Sequence, residues 1–245
     1  MWCGCASVSS LRNPFRHGEI MRQAFHQYPW IYPEDPEPLR AFYKCHGKPA
    51  KYKKGDVIKS GGESQKLFYL VNGLCGYFIN YSMQPRSFAL ILPGRSMCDL
   101  TSISGEKVNI TTLAMRDSEV LTIPPNMLID AMKRDAGFAF MMCKHAIAKQ
   151  ECSLEATMAN FTHEPPMRLK VFMMALISTF HKEINDFNVL PLVLTNEEMG
   201  KIINTTRVTV NRILTGWQKI GLISRNGKQI ITYRKLFDDV YDWRQ

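Results

Sequence analysis

The chain has 245 residues, 31 Lys and Arg against 22 Asp and Glu, a net charge of +9 and 45% hydrophobic residues. At ~100–200 residues per domain this length predicts two domains, and the ordinary globular composition excludes a wholly disordered chain. The positive excess predicts attraction to a polyanion such as nucleic acid or acidic lipid, but it is spread over both halves of the chain and singles out neither.

No window reaches the ~18–20 consecutive apolar residues of a membrane helix. The start, Met1-Trp2-Cys3-Gly4-Cys5, has neither a basic n-region nor a long apolar stretch, so a cytoplasmic protein without membrane contact is expected. Seven cysteines, scattered rather than densely paired, predict reduced structural thiols rather than a disulfide scaffold.

Residues 1–50 read as a lead-in segment, because Tyr28-Pro29-Trp30-Ile31-Tyr32-Pro33 with Pro36 and Pro38 prevents a long helix and supplies aromatics to pack on the first domain. Over 51–125, short apolar runs alternate with the turn signals Lys54-Gly55-Asp56, Ser60-Gly61-Gly62-Glu63, Val71-Asn72-Gly73, Pro93-Gly94 and Ser104-Gly105. That texture predicts an antiparallel β-roll or sandwich.

After Pro124-Pro125 the spacing becomes helical. Residues 126–162 predict one long helix whose stripe Phe138, Met141, Met142, His145, Ala148, Cys152, Glu155, Met158 and Ala159 is expected to meet a second copy, burial against its own β-domain being the alternative. His163-Glu164-Pro165-Pro166 interrupts helix propagation and marks the start of a domain over 163–245. Met167–Lys182 predicts a helix and 185–194 a short extended connection.

The segment Thr195 to Leu214 carries the strongest signal. Thr195 with Glu198 three residues on fits a capping box, and Met199, Ile202 and Ile203 give the short helix one apolar face. Asn204 tolerates the left-handed backbone of a tight turn, Thr205 or Thr206 can cap a second helix, and Val210, Ile213, Leu214 and Trp217 are spaced for its core. This is a helix-turn-helix pattern, whose second helix enters the DNA major groove. Arg207, Val208, Asn211 and Arg212 fall on or near its outward face. Arginine can donate to guanine O6 and N7, valine can meet a thymine methyl, and Thr206 and Thr209 suit phosphates. Residues 221–232 then read strand, Asn226-Gly227 turn, strand: a wing with Arg225 and Lys228 placed for phosphate.

In this order the motifs resemble the CRP/FNR family of bacterial transcription regulators, over about residues 50–235: Gly55-Asp56-Val57-Ile58, Gly62-Glu63, Leu67 to Gly73, Leu92-Pro93-Gly94, the long helix and the winged helix. The resemblance implies an α+β fold: an antiparallel β-roll (double-stranded β-helix) of cyclic-nucleotide-binding type, a dimerisation helix and a C-terminal winged helix-turn-helix. It also implies a homodimer, a double-stranded DNA operator, contact with RNA polymerase, and a small-molecule effector that reorients the recognition helices. Thr206-Arg207-Val208-Thr209-Val210-Asn211-Arg212 matches the family's recognition motif, typically Ser-Arg-Glu-Thr-Val-Ser/Gly-Arg, so Arg207 and Arg212 carry over as base or phosphate contacts. Val208 replaces the usual glutamate, which predicts an operator other than the common TGTGA or TTGAT half-sites, with thymine opposed to Val208. Halorespiration regulators of the family are similar here.

Cyclic-nucleotide binders of this kind hold phosphate with a Gly-Glu pair and an Arg-Ser/Thr pair. Here Cys98-Asp99 and Val108-Asn109 stand at those positions, so the arginine is missing and a carboxylate remains, which argues against cAMP or cGMP. Cys3-Gly4-Cys5 fails the spacing of iron–sulfur members, and Cys98-Asp99-Leu100 lacks the histidine of haem-binding members, which argues against both groups. The expected effector is a small apolar or aromatic molecule bounded by Met97, Cys98, Asp99, Leu100 and Thr111 of the roll and Met142, His145 or Lys149 of the long helix. The alternative is a redox- or metal-sensing regulator of the same architecture. With no clustered histidines, phosphate loop or nucleophile elbow, an enzyme and a metal site are not expected.

Overall fold

The computed structural model describes residues 24–62, 65–79, 86–105, 107–180 and 184–240; Cys3, Cys5 and Glu63, which figure in the sequence motifs, lie outside them. An N-terminal strap, residues 28–35, crosses the first domain: Leu90 N–H donates to the Trp30 carbonyl and Tyr32 N–H to the Leu90 carbonyl. Helix α1 (Glu37–His46) comes next, inside the segment expected to be a lead-in without long helix. It forms because Pro36 and Pro38 occupy the cap and first turn, where no intrahelical N–H is required.

Strands β1 (Lys48–Tyr52), β2 (Val57–Gly62), β3 (Leu67–Asn72), β4 (Cys75–Ile79), β5 (Arg86–Ile91), β6 (Arg95–Met97), β7 (Val108–Ala114) and β8 (Ser118–Ile123) build the roll. They form two four-stranded sheets, β1-β8-β3-β6 and β2-β7-β4-β5, with every pairing antiparallel. The β3–β4 turn requires Gly73: its φ is 104°, and a Cβ there would lie 2.4 Å from Ser118 Oγ. Phe68, Leu70, Tyr77, Ile91, Met97 and Val120 fill the roll's own buried cluster. Between β6 and β7 lies the short helix α2 (Asp99–Ser104).

Two helices replace the single long one expected from 126–162. The first, α3 (Pro125–Arg134), ends at Asp135, whose extended backbone and side chain cap α4 (Ala136–Thr162) by accepting the Phe138 N–H. At 27 residues α4 is ~40 Å long. The apolar stripe read from the sequence is mostly the face turned into this chain: Met142, His145, Cys152, Glu155 and Ala159 are buried. A different row remains exposed, Phe140, Ile147, Leu154 and Phe161, at intervals of seven. The periodicity signal could not separate the two faces because both carry apolar residues.

At His163 the backbone turns extended, and Pro165 and Pro166 open α5 (Pro165–Phe180) rather than merely blocking the helix before it. Then come β9 (Phe187–Val189), α6 (Asn196–Ile202), α7 (Arg207–Lys219), β10 (Ile223–Asn226) and β11 (Gln229–Tyr233), with a 3-10 turn at Arg234–Phe237. The segment read as a simple connection supplies β9, third strand of the sheet β10-β11-β9. Leu74, Phe78, Leu90, Leu92 and Met115 of the roll share one buried cluster with Phe172, Leu176, Met199, Ile203 and Trp217 of the C-terminal domain. Arg116, beyond β7, reinforces this junction by donating to both oxygens of Glu198 and to the Val193 carbonyl. Among the described residues, no helix is long and apolar enough to cross a membrane.

Candidate nucleic-acid interface and roll cavity

The geometry of α6 and α7 follows from local chemistry. Thr195 accepts the Glu198 N–H at 3.1 Å while Glu198 Oε2 accepts the Thr195 N–H at 2.7 Å, completing the capping box. Asn204 adopts φ 53° in the turn. Gly200 lets the two helices close, since a Cβ there would stand 3.0 Å from the Thr205 carbonyl. Thr206 caps α7 by accepting the Thr209 N–H at 3.1 Å.

Val210, Ile213, Leu214 and Trp217 face inward, so helical spacing places Val208, Asn211, Arg212 and Thr215 on the opposite face. All four are exposed, Val208 at 76%. Arg207 opens the helix beside Thr195, Asn196 and Glu197, with which it lines a shallow groove. Asn196 Nδ2 donates to Asn211 Oδ1 at 3.1 Å, tying the two helices on the exposed side. Thr206 and Thr209 are joined hydroxyl to hydroxyl at 2.9 Å, Thr206 exposed and Thr209 half-buried. The wing turns on Gly227-Lys228, since Asn226 still pairs with Gln229; the expected Asn-Gly turn is thus displaced by one residue, with Gly227 at φ 59°. Arg225 and Lys228 are both exposed there.

A cavity of about 300 Å³ opens between the roll and α4. Its walls include Tyr32, Lys59, Tyr77, Cys98, Asp99, Thr101, Val108, Ile110, Thr112, Gln150 and Ser153. Of the expected effector residues, only Cys98 and Asp99 are among them. Lys149 stands behind, donating to Asp99 Oδ2 at 2.6 Å and to Ser96 Oγ at 3.0 Å. His145 is buried against Asp35, Nε2 to Oδ1 2.8 Å. Met97 fills the roll's core, and Met142 packs elsewhere with Leu39, Tyr43 and Leu128. Thr111 is half-buried between the two lining residues Ile110 and Thr112, on the other face of a strand. Leu100 lies in α2, its side chain outside those described.

The sequence reading missed Tyr32 because it came from the N-terminal segment, which no periodicity tied to the roll. It missed Gln150 and Ser153, one and four residues beyond Lys149 on α4, because neither polar residue belongs to the apolar stripe it followed. Cys98 takes φ 67°, and its N–H donates to the Tyr77 hydroxyl at 2.8 Å. Burial pushes the Asp99 carboxyl up, but the Lys149 ammonium and its hydrogen bond outweigh this and hold it below the usual carboxylate range. An anionic Asp99 at the first position of α2 therefore occupies the neighbourhood where a phosphate would need N–H groups and a cation.

The molecule thus has a basic-tipped winged helix joined through a long helix to a β-roll. Residues 168–236 match the family described as the Crp-like helix-turn-helix domain, to which this region is similar. No curated protein sequence matches the chain. Among solved structures, it is similar to a CooA mutant from Carboxydothermus hydrogenoformans, at 18% identity over 87% of this chain and 97% of that one, TM-score 0.70. It is also similar to CprK complexed with OCPA (19%, 86% and 98%, TM-score 0.64) and to a CRP/FNR family transcriptional regulator from Thermus thermophilus (18%, 78% and 97%, TM-score 0.62). The chain has the fold of CRP/FNR-type DNA-binding transcription regulators.

Proposed function

We propose that this protein is a homodimeric, sequence-specific DNA-binding transcription regulator, acting by binding rather than catalysis, whose operator affinity answers to a small, largely apolar molecule in the roll cavity. The observation that carries the reading is the outward row Val208, Asn211 and Arg212 on α7, flanked by exposed Arg207, by Thr206 and Thr209 and by the wing residues Arg225 and Lys228. Val208 and Arg212 offer base contacts; the threonines and the wing suit phosphates. RNA polymerase is a further partner in this reading, and the cytoplasm its place.

Dimerisation is supported by Phe140, Ile147, Leu154 and Phe161, an exposed apolar row repeating every seven residues that supplies one of the two positions of a coiled-coil seam to a second copy. A two-fold axis along α4 would present two α7 helices to successive major grooves. Footprinting of the DNA upstream of its own gene, with and without metabolites of neighbouring genes, tests the function. The expected footprint has two inverted half-sites about one helical turn apart. Leu154→Glu, which puts a charge at mid-seam, is expected to sediment as a monomer and to lose the paired footprint. A dimer unaffected by that charge would move the interface elsewhere.

Cysteine-based sensing gains no support from the buried thiols. Burial pushes Cys75 up to about 11 and Cys152 higher still, so neither is a thiolate at neutral pH. Among the described residues, no group of His, Cys, Asp and Glu is placed to hold a metal. Calorimetric titration with cAMP or cGMP is expected to give no heat at low-micromolar ligand, because Val108 stands where such binders carry the phosphate arginine and the anionic Asp99 lines the same cavity. Saturable low-micromolar binding of either would overturn that part of the reading.

A further inference from the structure

The strap at residues 28–35 touches three parts of the molecule: the roll cavity, α4 and the C-terminal domain. Tyr32 forms a wall of the cavity, its ring edge-on to Tyr77 at 5.6 Å, and it belongs to the roll's buried cluster. Two residues earlier Trp30 belongs to the cluster shared with the DNA-binding domain, its ring edge-on to Phe172 of α5 at 6.1 Å and fully buried. Trp30 takes φ 62°, a region that a bulky side chain enters only where the surroundings dictate it. Between them the Ile31 carbonyl accepts the Cys152 thiol of α4 at 3.3 Å.

The Tyr32 carbonyl is fixed by Arg95 Nε at 2.6 Å, and Asp35 at the end of the strap holds both Ser96 Oγ and His145 of α4. Backbone bonds to both sides of Leu90 then pin the strap to β5. With Trp30 and Tyr32 bonded to the two sides of Leu90 and only Ile31 between them, itself held by Cys152, a backbone displacement at Tyr32 has little slack in which to be absorbed before Trp30.

We propose that the strap is the positioning element linking the cavity to the winged helix: Tyr32 registers what fills the cavity, and Trp30 sets the seat of α5, and with it α7, on the roll. This rests on the effector reading and adds the route by which occupancy reaches the DNA-binding domain. It makes Trp30 a positioning residue, acting on DNA through Phe172.

The test is amide hydrogen exchange on the full-length protein, which reports local opening without needing DNA or ligand. Trp30→Ala and Tyr32→Ala are each expected to raise exchange in α5 and α7 by about tenfold, and Trp30→Phe to stay within about threefold of the parent because a ring still meets Phe172. Ile110→Ala enlarges the same cavity from β7, off the strap, and is expected to leave α5 and α7 unchanged. The proposal fails if Tyr32→Ala leaves those helices unchanged, if Ile110→Ala loosens them equally, or if Trp30→Ala has no effect. Failure of the DNA-binding reading would appear separately, as an absent footprint with the exchange pattern intact.

Discussion

Replacing Arg212 by alanine is expected to remove specific operator binding while leaving weak, salt-sensitive DNA binding. Arg212 is exposed on the same face of α7 as Val208 and Asn211, and its helix is rigidly seated by Val210, Ile213, Leu214 and Trp217. A bidentate arginine–guanine contact discriminates by ~1–3 kcal/mol. In a symmetric dimer the loss counts at both half-sites, about 2–6 kcal/mol, set against the ~4–10 kcal/mol separating specific from non-specific binding, a large fraction at the middle of both ranges. The capping threonines and the wing remain, so a gel-shift at low salt should still show a complex, now indifferent to operator sequence. Arg225→Ala should behave oppositely: weaker binding to every sequence, a salt slope reduced by about 1 for each phosphate no longer neutralised, and unchanged preference. Val208→Glu adds an acceptor for cytosine N4 and should change the preferred base at one position of each half-site. Full retention of affinity and preference by Arg212→Ala would remove Arg212 from base reading.

The contrast between these arginines also shows which parts of the molecule were legible in the sequence. The winged helix was, because each of its features is local: Thr195 with Glu198, Asn204 in a left-handed turn and Thr206 three residues before its bonded N–H all act within four positions along the chain. The roll was legible as a texture of short strands and glycine turns, but not its pairings, which join residues such as Lys48 and Thr122. The cavity was legible least. Its walls come from the strap, β2, β4, α2, β7 and α4, and a one-position error on a strand, Thr111 for Thr112, turns a side chain to the other face. On α4 the row buried in the roll contains a lysine, a histidine and a glutamate. Periodicity marked most of that row but could not tell burial in the chain's own roll from a seam between copies; Asp99 and Asp35, the distant partners of Lys149 and His145, decide it.

Those ion pairs lead to the largest expected effect on stability. Lys149 is fully buried at 0% exposure and Asp99 nearly so at 2%, with 2.6 Å between them. Lys149→Met removes the cation but keeps the length of the side chain, leaving Asp99 in a low-dielectric site beside Ser96, with Asp35 and His145 in the same hydrogen-bonded network. Breaking a buried pair from one side costs ~3–5 kcal/mol, a large part of the ~5–15 kcal/mol that holds a domain folded. Removing both charges with Lys149→Met and Asp99→Leu should recover most of that loss, since no unpaired charge remains. The acid limb separates this from simple cavity formation. In the parent, Asp99 is held below its unfolded value near ~3.9, so its contribution is present above that pH and is lost as pH falls through the folded value. In Lys149→Met the strongest opposition to burial is gone, leaving only the weaker influences of His145 and a backbone N–H, and the folded value is expected to rise above ~3.9, so the penalty grows as pH rises through that value and disappears below ~3.9. Urea unfolding from neutral to acid pH should therefore show the two stabilities converging on acidification. A constant difference across that range, or a loss below ~1 kcal/mol at neutral pH, would mean that the Lys149–Asp99 pair does not carry the charge balance between α4 and the cavity.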